Sequence, residues 1–210
     1  MVEAPSLKEL REHKNQKPET LCCILIAPKF NEIAYSSFIK KFGYLDTRTG
    51  SNIDFYWAGY GAYWNNSIVP DMEEVGIGKY EGGIIIPWSF SQTLFANFVD
   101  ELEEETSWKY SGGTEIIFLD PNLDFSTCIV LRVDEMIEDK IIKNPNELLE
   151  AIIQYSRTNS NNIKRFSLNG LKKAAGEEII NGILSALPKH FENLLNTWKK
   201  GRHYTILDIS

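Results

Sequence analysis

Apolar positions in this chain alternate between unbroken runs and helical spacing. Leu21 to Ala27 (Leu-Cys-Cys-Ile-Leu-Ile-Ala) runs without a polar residue until Pro28 ends it. A run of that length without alternation suits a strand buried on both faces, as in a sheet covered by helices. Positions 33, 34, 38, 39 and 42 are then apolar at the spacing of one helix face. Asp46 to Asn52 is turn-like, and Ile53 to Ala58 is a second strand. This β-α-β order favours a parallel pair with a right-handed crossover. Upstream, Ser6 and Glu9 form a capping box at the head of a weakly helical segment.

The second strand runs into a glycine-punctuated loop, so that Trp57, Tyr60, Tyr63 and Trp64 fall close together. Asn65 to Gly83, rich in Gly, Asn and acidic residues, reads as a long irregular connection. Gly83 to Pro87 reads as a short buried strand closed by Pro87 and Trp88. Ser89 or Ser91 then caps a helix through Glu105, with Leu94, Phe95, Phe98, Val99 and Leu102 on one face. Lys109 to Gly113 is a turn, and Thr114–Leu119 with Thr127–Val133 makes an antiparallel pair. Pro145 in the first turn opens a helix to about Tyr155. Further helices are expected at Leu168–Ala175, Glu177–Leu187 and Lys189–Lys199, with a last strand at Tyr204–Ile209.

The fold class is therefore α/β: a single mixed sheet flanked by helices, β-α-β then β-α-β-β, with a helical C-terminal region. The division is an α/β unit over 1–155 and a helical region over 156–210, packed on it or used as an interface. Over residues 21–155 this succession resembles the thioredoxin-like fold, in which βαβ and ββα units share one sheet; a flavodoxin-like or nucleotide-hydrolase-like sheet competes with it. The resemblance is topological. Thiol–disulfide exchange requires a thiolate at the helix start after the first strand, and Pro28 to Ile33 supplies no cysteine there. Redox activity is not carried over.

Composition narrows the function classes. The chain has 210 residues, 43% hydrophobic and 24% charged, as expected of a globular protein with a sizeable core. A net charge of -7 argues against nucleic-acid or anionic-membrane binding. There is no apolar run near the roughly 18 residues of a membrane span, and Met1 to Thr20 is too polar for a signal peptide. A cytoplasmic location is the default expectation. Cys22 and Cys23 point to opposite sides of a strand and Cys128 lies in another apolar run, so all three read as small buried hydrophobes. His13, His190 and His203 have no metal-ligand spacing, and no cofactor or metal is expected. Heavy use of Ile, Asn and Lys points to an AT-rich bacterial or phage genome.

Candidate chemistry centres on the aromatic loop. Tyr56, Trp57, Tyr60, Tyr63, Trp64 and Trp88 offer faces for stacking a base or a partner's side chain, and Gly59 and Gly61 allow close backbone approach. Such a loop emerges beyond the carboxyl ends of parallel strands, where open α/β sheets bind ligands; packing as a satellite core is the competing reading. Neither Gly59-x-Gly61 nor Gly76-x-Gly78 extends to a dinucleotide or phosphate-loop fingerprint. Arg48 could hold a phosphate or carboxylate. Glu101, Glu103, Glu104 and Glu105 crowd a helix C-terminus against the macrodipole. Two functions from different classes follow. The first is a non-catalytic module docking a protein partner, a second copy or a small ligand through the aromatic loop. The second is an enzyme on a nucleotide-like substrate, of nucleoside or NAD glycohydrolase type, with Asp54 or Glu104 as the chemical carboxylate.

Overall fold

A computed structural model describes residues 2–16, 20–41, 53–62, 69, 71–79, 85–119, 123, 127–159, 173–187 and 199–208. Among them, nine strands form two sheets. The larger is six-stranded: β1 (Val2–Ala4), β3 (Ile53–Ala58), β2 (Leu21–Ile26), β7 (Glu115–Leu119), β8 (Thr127–Arg132) and β9 (Tyr204–Asp208), in that order. The first three are mutually parallel and the others antiparallel. The unbroken apolar run of β2 is explained by its place: all six residues are buried between β3 and β7.

Helices α1 (Leu7–Gln16) and α2 (Glu32–Ser37) make the crossovers β1-α1-β2 and β2-α2-β3. The second crossover runs back across the sheet, so right-handed connections put α1 and α2 on opposite faces. On one face α1 packs on α3 (Gln92–Glu105). On the other α2 packs on α5 (Pro145–Thr158), and α5 on α6 (Lys173–Ala186). The short α4 (Val133–Glu138) lies against β7. Among the described residues no helix is long and apolar enough to cross a membrane.

Several elements depart from the sequence pattern. Residues 72–79, expected to be irregular, form β5 (Met72–Lys79), which pairs with β6 (Ile85–Ser91) and, with β4 (Tyr60–Gly61), makes a second sheet in the order β4-β6-β5. Acidic residues and glycines hid β5, and a register shift between Glu74 and Gly76 breaks its alternation. Nor does Pro87 end β6. It pairs with Ile77 where β6 has β5 as its one described neighbour, so the missing N–H need not break a ladder on the other side. No cis peptide bond occurs among the described residues, and Pro87 is trans. Ser91 is the cap of α3, accepting from Leu94 N at 3.1 Å and donating to Asp71 at 2.7 Å. The two helices expected around residue 176 are one, α6, with Gly176 inside it where an added Cβ would lie 3.4 Å from Ile129 and Ile206. The expected helix at 189–199 and the turn at 46–52 lie at least partly outside the described residues, as does the start of the helix at 168–175.

Strand β9 is fixed by a polar cluster. His203 is buried; its Nδ1 accepts from Lys199 N at 2.9 Å, which leaves Nε2–H to donate to Asp139 at 2.8 Å. Arg202 pairs with Asp139, Glu138 and Glu135. Hydrogen bonds from Arg202 and then His203 hold the Asp139 carboxyl well below its ordinary range.

Candidate functional site

Because β1, β2 and β3 are parallel and in register (Ala4 beside Ala58, Leu25 beside Trp57), their carboxyl ends share one edge. The antiparallel β7 begins at that same edge with Glu115 beside Ile26, and β8 ends there with Arg132 beside Glu115. Five segments thus converge: 27–31 leading into α2, the Gly59 turn, the 109–114 turn, the start of β7 and the start of α4.

Asn31 caps α2. Its Oδ1 accepts from Ala34 N at 3.0 Å, and its Nδ2 donates to Asp134 Oδ2 at 2.9 Å. Gly113 leaves room for that carboxylate, since a Cβ there would lie 2.7 Å from Asp134 Oδ2. Glu115 is 1% exposed; its Oε2 accepts from Trp108 Nε1 at 2.7 Å. Its Oε1 lies 4.0 Å from Arg132 Nε, beyond hydrogen-bond reach. Three buried atoms here lack a hydrogen-bond partner: Glu115 Oε1, Asp134 Oδ1 and the Tyr110 hydroxyl. Burial raises the Glu115 pKa, opposed by the polar groups of Ser111 and Trp108 and by the charge of Arg132. Burial also raises that of Tyr110, and the charges of Glu115 and Asp134 add to it.

The raised Glu115 value sets a pH dependence. Below its ordinary value of 4.5 the carboxyl is protonated folded and unfolded, and contributes nothing. Above it the unfolded chain ionises while the folded protein still holds the proton, so stability falls as pH rises toward the folded value. The urea midpoint of wild type minus that of Glu115→Gln is expected to be smaller at about pH 8 than at about pH 4. A difference independent of pH would show that Glu115 is not held in this environment.

Behind the site runs a chain of packed rings: Phe38 on Trp57, Trp57 on Tyr60, Tyr60 on Phe90, Phe90 on Phe95 and Phe95 on Tyr110, at centroid distances of 4.8 to 6.3 Å. Phe38, Trp57, Tyr60, Phe90 and Phe95 belong to the buried core, and Tyr110 packs against it. Tyr56, Trp57 and Tyr60 are 0% exposed and Trp88 1%, so none of the four presents a stacking face to solvent. The Tyr60 hydroxyl donates to Ala27 O at 2.6 Å and that of Tyr56 meets His13 at 2.9 Å. Among the described residues, Phe30 presents an exposed ring at this edge, 64% exposed and edge-on to Phe95. Arg48, Tyr63 and Trp64 lie outside the described residues.

The two candidate carboxylates stand apart from this edge. Asp54 is near the start of β3, at the opposite end of the parallel strands, and accepts from Thr20 Oγ1. Glu104 is exposed on α3. The neighbouring glutamates have structural uses that the sequence did not reveal. Glu101 caps α1 by accepting from Leu7 N at 2.8 Å, Glu103 accepts from Tyr110 N at 2.7 Å, and Glu105 pairs with Arg11.

Sequence reasoning passed over Asn31, Tyr110, Glu115 and Asp134. The available signal was Glu115 itself, the one charge in the run Glu-Ile-Ile-Phe-Leu; a solvated strand end reads the same way. A cavity of about 610 Å³ lies elsewhere, along α5, but Asn144 and Glu147 in its wall already serve that helix's N-terminus. Among the described residues no group of three His, Cys, Asp or Glu is placed to hold a metal ion. Comparison with protein-family models, curated proteins and solved structures finds no match to this chain.

Proposed function

We propose that this chain is a non-redox, thioredoxin-like binding module that docks a protein partner or small ligand at the carboxyl edge of β1, β2 and β3. The observation that carries the reading is the convergence there of an exposed Phe30 ring with three buried polar atoms that have no hydrogen-bond partner. The thioredoxin-like assignment is supported by parallel βαβ units continued by an antiparallel hairpin in one sheet. The small sheet and β9 are additions to that plan. Asn31 stands at the head of α2, where redox chemistry would need a thiolate. Cys22, Cys23 and Cys128 are buried; desolvation raises the Cys23 thiol and pushes that of Cys128 up to about 12.

The test is a photo-crosslinking residue at position 30, with position 104 as control, followed by purification of the captured partner. Its affinity is expected to fall by about tenfold or more for Phe30→Ser at unchanged melting temperature. Equal affinity of Phe30→Ser and wild type would take the docking face away from this edge. Iodoacetamide is expected to label no thiol in the native protein and all three in urea.

A second reading, an enzyme on a nucleotide-like substrate, is favoured by Glu115, a buried carboxyl whose raised pKa suits an acid or base. Melting shifts with nucleotides, NAD or nucleosides that vanish in Glu115→Gln would support it.

A further inference from the structure

The geometry points to a specific ligand chemistry at this edge: Glu115, Asp134 and Tyr110 receive a positively charged nitrogen group, a guanidinium or ammonium. The inference rests on the docking reading above and names what the site takes.

Two of the three unpartnered atoms, Glu115 Oε1 and Asp134 Oδ1, are carboxylate oxygens that can only accept while ionised. The third, the Tyr110 hydroxyl, belongs to a ring 6.0 Å from that of Trp108, the residue bonded to Glu115. Each carboxylate is already oriented by a bond to its other oxygen, Trp108 holding Glu115 at 2.7 Å and Asn31 holding Asp134 at 2.9 Å. The free oxygens are thus fixed and need not reorganise to meet a donor. A guanidinium or ammonium brings several N–H donors and the opposite charge, and charge-assisted hydrogen bonds are the strongest available here.

The resident cation does not fill this role. Arg132 comes no nearer to Glu115 than 4.0 Å and directs its Nη1 away, to Gly201 O at 2.8 Å and Thr205 Oγ1 at 3.1 Å. The rings around the carboxylates suit the same ligand. Trp108 and Tyr110 are in contact at 6.0 Å, and Phe95 packs on Tyr110 at 5.9 Å, with Phe30 beyond it. Aromatic faces attract organic cations. A phosphate or carboxylate ligand would meet the like charge of Asp134, and that of Glu115 once it ionises. The chemistry is therefore cationic, supplied by a small amine or by a basic side chain of a partner.

Calorimetry on the full chain at low salt tests this with agmatine, with the peptide acetyl-Ala-Arg-Ala-amide and with adenosine monophosphate. Agmatine or the peptide is expected to bind wild type, with Kd raised about tenfold or more in Glu115→Gln and in Asp134→Asn and unchanged in Glu104→Gln. Adenosine monophosphate is expected to give no heat. Tighter binding of the peptide than of agmatine assigns the cation to a protein partner; the reverse assigns it to a small amine. Asp134 is more exposed than Glu115, so Asp134→Asn keeps the test valid should Glu115→Gln unfold. Absence of heat from both cationic probes, or an unchanged Kd in both folded variants, overturns the inference. If a crosslinked partner loses affinity with Phe30→Ser but not with Glu115→Gln or Asp134→Asn, the cation assignment falls and the docking reading stands. If Phe30→Ser has no effect on a partner that crosslinks, the docking reading falls by itself.

Discussion

Gly59→Ala is expected to cost about 2 to 5 kcal/mol of stability, a large part of the roughly 5 to 15 kcal/mol available to a domain. Two separate effects add. Gly59 has φ 76°, where a residue with a Cβ is strained by about 1 to 2 kcal/mol. Its Cβ would also lie 2.6 Å from Phe95 Cβ and 2.8 Å from Phe95 Cα, so the first turn of α3 would have to move, at about 1 to 3 kcal/mol. The backbone cannot retreat easily. Gly59 N donates to Ala4 O at 3.2 Å, and Gly59 O accepts from Ser91 N at 2.9 Å, which joins the edge of the large sheet to the start of α3. Gly112 separates the two effects, having φ 89° but nothing within 4 Å of an added Cβ. Gly112→Ala should show the conformational cost alone. Urea titrations of the two variants give the comparison, and equal losses would mean that the turn does not press on α3 as described.

Trp57→Ala should cost about 3 to 5 kcal/mol, the range for emptying a buried aromatic site. Trp57 is 0% exposed and meets Phe38 and Tyr60 edge-on at 6.3 and 5.6 Å, contacts that add to its area burial. Phe30→Ser should change stability by less than about 1 kcal/mol, since that ring is mostly in solvent. The contrast bears on function. Lost binding in Trp57→Ala would report a damaged core, whereas lost binding in Phe30→Ser reports a lost contact. A small thermal shift for Trp57→Ala, comparable with that of Phe30→Ser, would contradict the burial of this ring.

Much of the α/β frame was legible because it rests on local pattern. The apolar run at 21–27, the helical spacing that ends at Glu105 and the paired runs at 114–133 each correspond to an element in place. The edges were less legible. β1 has three residues and gains its strand character by pairing with β3, a partner more than fifty positions away. β5 alternates poorly, and its partner β6 contains a proline. The aromatic loop shows the same limit from the other side. Its glycines and rings were conspicuous, but stacking on a ligand and stacking on Phe90 and Phe95 demand the same residue types.

The class of fold, the parallel opening and the absence of a thiol at the head of α2 were written along the chain. Each follows from neighbours in the chain, through side-chain periodicity and residue identity. Packing of distant segments made Tyr56, Trp57, Tyr60 and Trp88 core and gave Glu101, Glu103 and Glu105 their caps and pairs. It also brought Asn31, Tyr110, Glu115 and Asp134 to one edge, across as many as 103 positions of chain. Burial and unpaired hydrogen-bonding groups are properties of a side chain's surroundings, and distant segments supply those surroundings only after the sheet has closed.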